Sequence, residues 1–331
     1  HTLVGSVPEK YLWVLKLVGM NGSVDLGLGE LKSLLKDEKL EMYHSEIIFL
    51  ITFLQLNMTD DKVAYKYLFK EIGNKYSDNY LLNFAAARLS HAIGSNELCI
   101  QVLENRPDAN GKYSFHYLDY LQGMSYLYKL DFQKSEMFFI RFINNFKGNN
   151  YIKSAYQKLS WIAFLKDNKS KKNNYLEKIK SEGKAFIDED KVALKEADKN
   201  HVNSPKLLRA RLLYDGGYYE KAHLELTGIN NLSDYTMFFD EYYYRLARIE
   251  SKLNYFEEQV IAKYQKSYDL GRKSSNYYAP MSALQIGLIY ENKKDYKKAL
   301  IYFEKCLSLS DFDYERGIHQ KAKVSLSRIT N

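Results

Sequence analysis

The sequence predicts an all-α fold, a superhelix of antiparallel helix pairs, and three observations carry that expectation. Only 4 prolines and 17 glycines punctuate 331 residues, so long helices with short connections are the economical reading. Few segments alternate apolar and polar residues as half-buried strands do. A set of small and aromatic residues also recurs in one frame: Gly123, Tyr126, Ser135, Phe139 and Phe142 each have a counterpart 164 positions later in Gly287, Tyr290, Ala299, Phe303 and Cys306. Asp131 and Asp295 keep the same interval.

Taken along the chain, Leu28, Leu31 and Leu34 keep helical phase after Gly27-Leu28-Gly29, so this glycine pair begins a helix. Without a third glycine it is no dinucleotide loop. The longest apolar run, Ile47 to Leu56, is too short to cross a bilayer and is expected as a buried helix. Looser copies of the frame fall around Ala86, Leu89 and Leu98, and around Leu159, Ser160 and Ala163. Between the two clear copies, Ala210, Leu213 and Ala222 form a third about the turn Asp215-Gly216-Gly217. Leu246 and Ala247 start another, which needs one inserted residue to reach Tyr264 and Ser267.

The last copy shows what the frame does. Gly287 and Ala299 are small enough to let two antiparallel helices approach, Tyr290 and Phe303 fill the wedge to the next pair, and Asp295 caps the second helix. A charged stretch, Lys166 to Asn203, interrupts the array. The expected organisation is therefore a helical array over residues 1–165, a charged helical joint over 166–203, and a second array over 204–331.

This Gly/Ala, Tyr, Ala, Phe frame, with the turn Lys294-Asp295-Tyr296-Lys297-Lys298-Ala299, looks like the tetratricopeptide repeat. A narrower resemblance rests on three segments. Val7-Pro8 through Leu15-Lys16-Leu17-Val18-Gly19-Met20-Asn21-Gly22, followed by Leu26-Gly27-Leu28 and Leu31, is similar to the start of the tetratricopeptide-repeat domain 39 and fungal inclusion-body-clearance family. Leu82-Asn83-Phe84-Ala85-Ala86-Ala87-Arg88 and Tyr277-Tyr278-Ala279-Pro280 resemble further segments of that family. The resemblance implies an adaptor-like protein; fungal members are associated with mitochondria and lipid droplets.

Composition narrows the function classes. Apolar residues make up 46% and charged residues 27%, enough to bury a large core and to exclude wholesale disorder. The formal charge of +7 comes mostly from lysines scattered among acids. With no zinc-finger spacing, RNP-like signature or arginine block, no nucleic-acid partner is expected. No cofactor, metal or catalytic site is expected either. The seven histidines, His1, His44, His91, His116, His201, His223 and His319, never flank a glutamate at metal spacing. Ser125 lies mid-helix and lacks the glycine of a nucleophile turn, and Asp188 and Asp190 read as a solvated face. Cys99 and Cys306 are expected as buried free thiols. Asn-x-Ser/Thr sequons stand at Asn21, Asn57, Asn168 and Asn231. The first residue is His1, so a trimmed product is expected, leaving cytoplasm and cell envelope both open.

The expected function is a non-catalytic scaffold that holds a protein or peptide on its concave face. Positions on the first helix of each pair that are not used for packing point into the groove. That rule selects Tyr117, Tyr120, Met124, Leu127 and Tyr128, an amphipathic set suited to a peptide or partner helix. In later pairs it selects Leu207, Arg211 and Tyr214, then Tyr244, Arg248 and Lys252, where a carboxylate would meet Arg211 and Arg248. The competing expectation is that the tyrosines pack between pairs and the arginines bond Glu241 or Asp215. An alternative function is a carbohydrate- or nutrient-binding component of a cell envelope.

Overall fold

In a computed structural model, residues 22–58, 61–108, 111, 114–198, 204–229 and 237–330 are described. Residues Val7 to Asn21, which carry part of the narrower family resemblance, lie outside them, as do the sequons' Asn21 and Asn231. Among the described residues the regular structure is helical throughout: 17 α-helices and two short 3-10 segments. In chain order the helices are α1 Val24–Leu34, α2 His44–Met58, α3 Lys62–Ile72, α4 Tyr80–Ala92, α5 Asn96–Glu104, α6 Tyr117–Tyr128, α7 Phe132–Asn145, α8 Ile152–Leu165, α9 Lys169–Ser181 and α10 Asp188–Asp198. Then come α11 Pro205–Asp215, α12 Tyr219–Thr227, α13 Phe239–Lys252, α14 Glu257–Gly271, α15 Tyr278–Asn292, α16 Tyr296–Leu307 and α17 Glu315–Thr330.

Six pairs, α4–α5, α6–α7, α8–α9, α11–α12, α13–α14 and α15–α16, turn in one way. The residue after the turn returns its N–H to a carbonyl five residues back: Ser95 to Ser90 (2.9 Å), Asp131 to Tyr126 (2.9 Å), Asn168 to Ala163 (2.7 Å), Tyr218 to Leu213 (2.9 Å), Tyr255 to Glu250 (3.0 Å) and Asp295 to Tyr290 (2.9 Å). The residue between is left-handed each time, Gly94, Leu130, Asp167, Gly217, Asn254 and Lys294, with φ from 53° to 81°. Four of these are not glycine, a conformation that costs an L residue roughly 1–2 kcal/mol, so the packing of the pair holds it.

That turn fixes a register. Seven residues before each left-handed residue stands Ala87, Gly123, Ser160, Ala210, Ala247 or Gly287, all small and all buried. A Cβ on Gly287 would sit 2.5 Å from the Phe303 ring, and one on Gly123 3.0 Å from Phe139. Asp131 and Asp295 cap the second helices through the N–H groups of Lys134 (3.1 Å) and Lys298 (3.2 Å). In the first pair the register falls on Ala87 rather than Ala86, because Gly94 sets it.

Backbone packing divides the chain into two units, His1–Lys199 and Asn200–Asn331. In the first, α2 is half wrapped: Ile47, Ile48 and Ile51 are buried, but Leu50 and Phe53 are 45% and 49% exposed, so the apolar run is not a fully buried helix. The charged stretch folds onto this unit, with α9 and α10 both packed on α8. Asp190 is fully buried there and accepts the N–H groups of Tyr151 (2.7 Å) and Ser154 (2.9 Å) at the start of α8, so it is a helix cap and not a solvated acid. In the second unit, first helices α11, α13 and α15 pack in succession, and α17 closes the end against α15 and α16. Cys99 and Cys306 are buried free thiols, one in each unit.

Candidate binding surface

Six residues before each left-handed turn residue, the first helices carry Arg88, Met124, Trp161, Arg211, Arg248 and Leu288. These are equivalent places on equivalent helices, one residue on from the small packing position. In the first unit α4 and α6 lie side by side with two ring pairs between them. Phe84 meets Tyr117 at 5.9 Å near one end, and His91 meets Tyr128 edge-on at 5.7 Å near the other. Arg88 and Met124, both half-buried, come between these pairs in sequence and in helical phase.

Tyr117 and Tyr128 are half-buried, whereas Tyr120 is 5% exposed. The Tyr120 hydroxyl lies 2.8 Å from Ser154 Oγ, and its ring stands edge-on to Phe139 and Phe142 at 5.6 and 5.5 Å. Tyr120 is therefore packing between neighbouring pairs, and Leu127 is fully buried with it. Burial pushes the phenols of Tyr117 and Tyr120 up, so both are neutral donors at any physiological pH. Trp161 is closed off: its Nε1–H donates to Glu196 Oε1 of α10 at 2.6 Å, and Lys158 Nζ lies 4.0 Å from its ring centre.

In the second unit the same position carries two arginines. Arg211 keeps 37% of its side chain exposed, with Nε 3.8 Å from Asp215 Oδ2. The Arg248 guanidinium stacks 4.1 Å over Tyr214 and 5.5 Å from Tyr244. Tyr214 is half-buried, while Tyr244 is 2% exposed and enclosed by Tyr264, Tyr277 and Tyr278 at 5.4 to 6.2 Å. Lys252 is exposed at the end of the helix. The competing expectation, ion pairing of the arginines with Asp215 or Glu241, is met at one of the two acids. Arg211 does reach Asp215, but Glu241 bonds the buried Arg245 and not Arg211 or Arg248.

Among the described residues no carboxylate forms an ion pair with Arg248 or with Arg88. Arginine stays cationic in a protein and presents a planar fork, so these positions can take a carboxylate in bidentate fashion. The loose first copy, read on Ala86, leaves Arg88 out of frame; the left-handed turn at Gly94 aligns it with Arg211 and Arg248. Arg245, the residue that Glu241 does bond, is not singled out by the sequence because hydropathy assigns charged residues to the surface.

No group of three or more His, Cys, Asp or Glu side chains among the described residues is arranged to hold a metal ion. No helix among them is long and apolar enough to cross a membrane. No curated protein matches the chain. Residues 282–313, which run from within α15 past the end of α16, match the tetratricopeptide repeat family. That match, with six helix pairs sharing one turn and one small-residue register, supports a tetratricopeptide-type protein whose regular structure among the described residues is all helical.

Proposed function

We propose that the chain is a protein-interaction scaffold that takes an acidic peptide segment, or a peptide's C-terminal carboxylate, on the first helices of the second unit. Tetratricopeptide repeats generally mediate protein–protein contacts, which sets the class. The observation that carries the ligand chemistry is Arg248, a half-buried cation stacked on Tyr214 with no carboxylate among the described residues in an ion pair with it, beside the accessible Arg211. Two arginines against Asp215 leave this stretch of wall cationic, and the rings supply apolar area for side chains flanking an acid. An adaptor role also agrees with the resemblance to the tetratricopeptide-repeat domain 39 and inclusion-body-clearance family.

The test is fluorescence anisotropy with peptides of one apolar sequence ending in a free carboxylate, in an amide, or carrying an internal glutamate. The expected result is binding of an acid-bearing form that weakens roughly tenfold in Arg248→Gln, since a charge-assisted hydrogen bond is worth about 1.5–3 kcal/mol. Equal affinity for carboxylate, amide and glutamate forms would overturn the reading.

A further inference from the structure

We infer that the first unit carries a small-molecule site on its outward side, between the second helices α5 and α7, which takes a soluble polyol phosphate. The inference does not depend on the scaffold reading above, since it concerns another face, other residues and another class of ligand.

The site is a cleft of about 300 Å³ whose lining includes Arg106, Lys134 and Arg141, with Gln122 and Tyr126 of α6 between them. Gln122 and Tyr126 each stand two positions from Met124, about 200° around the helix, so the cleft faces away from the wall formed by the first helices. Arg106 Nη2 lies 2.8 Å from Asp119 Oδ1, and Arg141 Nε donates to the same oxygen at 2.9 Å. One buried carboxylate thus draws two guanidiniums together, and both keep N–H groups beyond those given to it. Arg141 also stacks 4.4 Å over the Phe138 ring, which fixes its plane. Lys134 Nζ reaches the Tyr126 hydroxyl at 3.4 Å, and that hydroxyl in turn donates to Glu104. Three cations against Asp119 and Glu104 leave this cluster one positive charge in excess. Gln122 supplies a second, independent signal: it is 3% exposed, and its Oε1 is buried with no hydrogen-bond donor among the described residues.

These groups select the ligand. A phosphate monoester carries a charge of about −1.5 to −2 and three acceptor oxygens, which suit two converging forks and an ammonium, whereas a planar, singly charged carboxylate pairs with a single fork. A buried acceptor without a donor is costly, and a ligand hydroxyl gives Gln122 Oε1 the donor it lacks. The cleft is at the small end of ligand pockets, which run from about 300 to 1,000 Å³. Phosphate and hydroxyls therefore belong to one compact molecule, a phosphorylated sugar or other polyol.

Isothermal titration calorimetry of the full chain tests this with glucose 6-phosphate, glycerol 3-phosphate and myo-inositol 1-phosphate, against inorganic phosphate and unphosphorylated glucose. At least one ester is expected to bind roughly tenfold tighter than inorganic phosphate, with glucose silent. Arg141→Gln and Lys134→Gln should each weaken that ester about tenfold. Gln122→Met should bring it down to the level of inorganic phosphate, and Arg248→Gln in the second unit should change nothing. If Arg141→Gln unfolds at a lower temperature than wild type, Lys134→Gln carries the test, because Lys134 is exposed and forms no ion pair among the described residues. The site is overturned if no ester exceeds inorganic phosphate, or if binding survives both Arg141→Gln and Lys134→Gln. Capture on phosphatidylinositol vesicles without binding of the free esters would assign the cleft to a lipid headgroup and overturn the soluble ligand. None of these results touches the peptide test at Arg248, so either reading can fail alone.

Discussion

The edge of the Phe303 ring lies 2.5 Å from where a Cβ on residue 287 would be, so Gly287 is glycine because the second helix of its pair has put an aromatic ring against its backbone. The ring is itself fully buried and cannot swing out. Gly287→Ala is therefore expected to destabilise the protein by about 1–3 kcal/mol, the cost of overpacking a close-packed core. Gly123→Ala meets Phe139 at 3.0 Å and should cost less. Gly29, inside α1, has nothing within 4 Å of its would-be Cβ, so Gly29→Ala should be neutral or stabilising by up to about 1 kcal/mol. Urea unfolding of the three variants checks the order.

This contact also explains what the sequence could reveal. A glycine on one helix and a ring sixteen residues later on the next leave a mark in the letters, Gly287 with Phe303 and Gly123 with Phe139, so the pairs were legible wherever that contact is tight. Where the small residue is Ala and the ring is replaced by Leu103 or Leu226, the same fold leaves a fainter mark, and the register slipped to Ala86. Burial of charge was not legible. Asp190 reads as part of a solvated face, yet it is fully buried and bonded across the packing; Lys153, Glu241 and Arg245 are charged and still 8% exposed or less, Lys153 bonded to the Ile179 carbonyl and Glu241 to Arg245 one turn on in the same helix. No periodicity of hydropathy encodes a bond to a backbone group 36 residues away, such as Asp190 makes to Ser154.

Asp190 should therefore matter more than any other acid of the charged stretch. Asp190→Ala leaves the N–H groups of Tyr151 and Ser154 without their acceptor at a buried helix start, and is expected to cost about 2–3 kcal/mol. Asp188→Ala, whose partner Lys191 is itself exposed, should change stability by less than about 0.5 kcal/mol. Limited proteolysis should cut first between residues 182 and 198 in the Asp190 variant; an unchanged cleavage pattern with unchanged stability would show that α10 is held by other contacts.

His91 sets a pH dependence. Burial lowers its pKa to about 4, and its Nε2 lies 3.2 Å from Asn96 Oδ1 and 3.1 Å from Ser125 Oγ. The unfolded chain takes up a proton on this residue below about pH 6.5, while the folded protein does so only near pH 4. Stability is then lost as pH falls from 6.5 toward 4 and changes no further on this account below that. Because the ring is half-buried, the expected loss between pH 7 and pH 5 is about 1–2 kcal/mol. His91→Gln should flatten that part of the profile in denaturant titrations at each pH; an unaltered slope would show that His91 takes up its proton at the same pH in the folded and unfolded chain.

The two cysteines give an independent view of each unit. Cys99 lies in the first and Cys306 in the second, both with no exposed surface, and burial pushes each thiol up to about 12. At pH 8 almost no thiolate is present in the folded state, so alkylation proceeds through opened molecules, where the thiol returns to its ordinary range near 8.5. Iodoacetamide labelling followed by peptide mass spectrometry then measures opening separately around α5 and α16. Asp190→Ala, which removes a cap in the first unit, is expected to raise the Cys99 rate at least tenfold and to leave Cys306 near its wild-type rate, because about 2 kcal/mol of local stability corresponds to roughly thirtyfold in the open fraction. Equal acceleration at both cysteines would mean that the two units open as one cooperative block, and the separate-unit account of their stability would then be wrong.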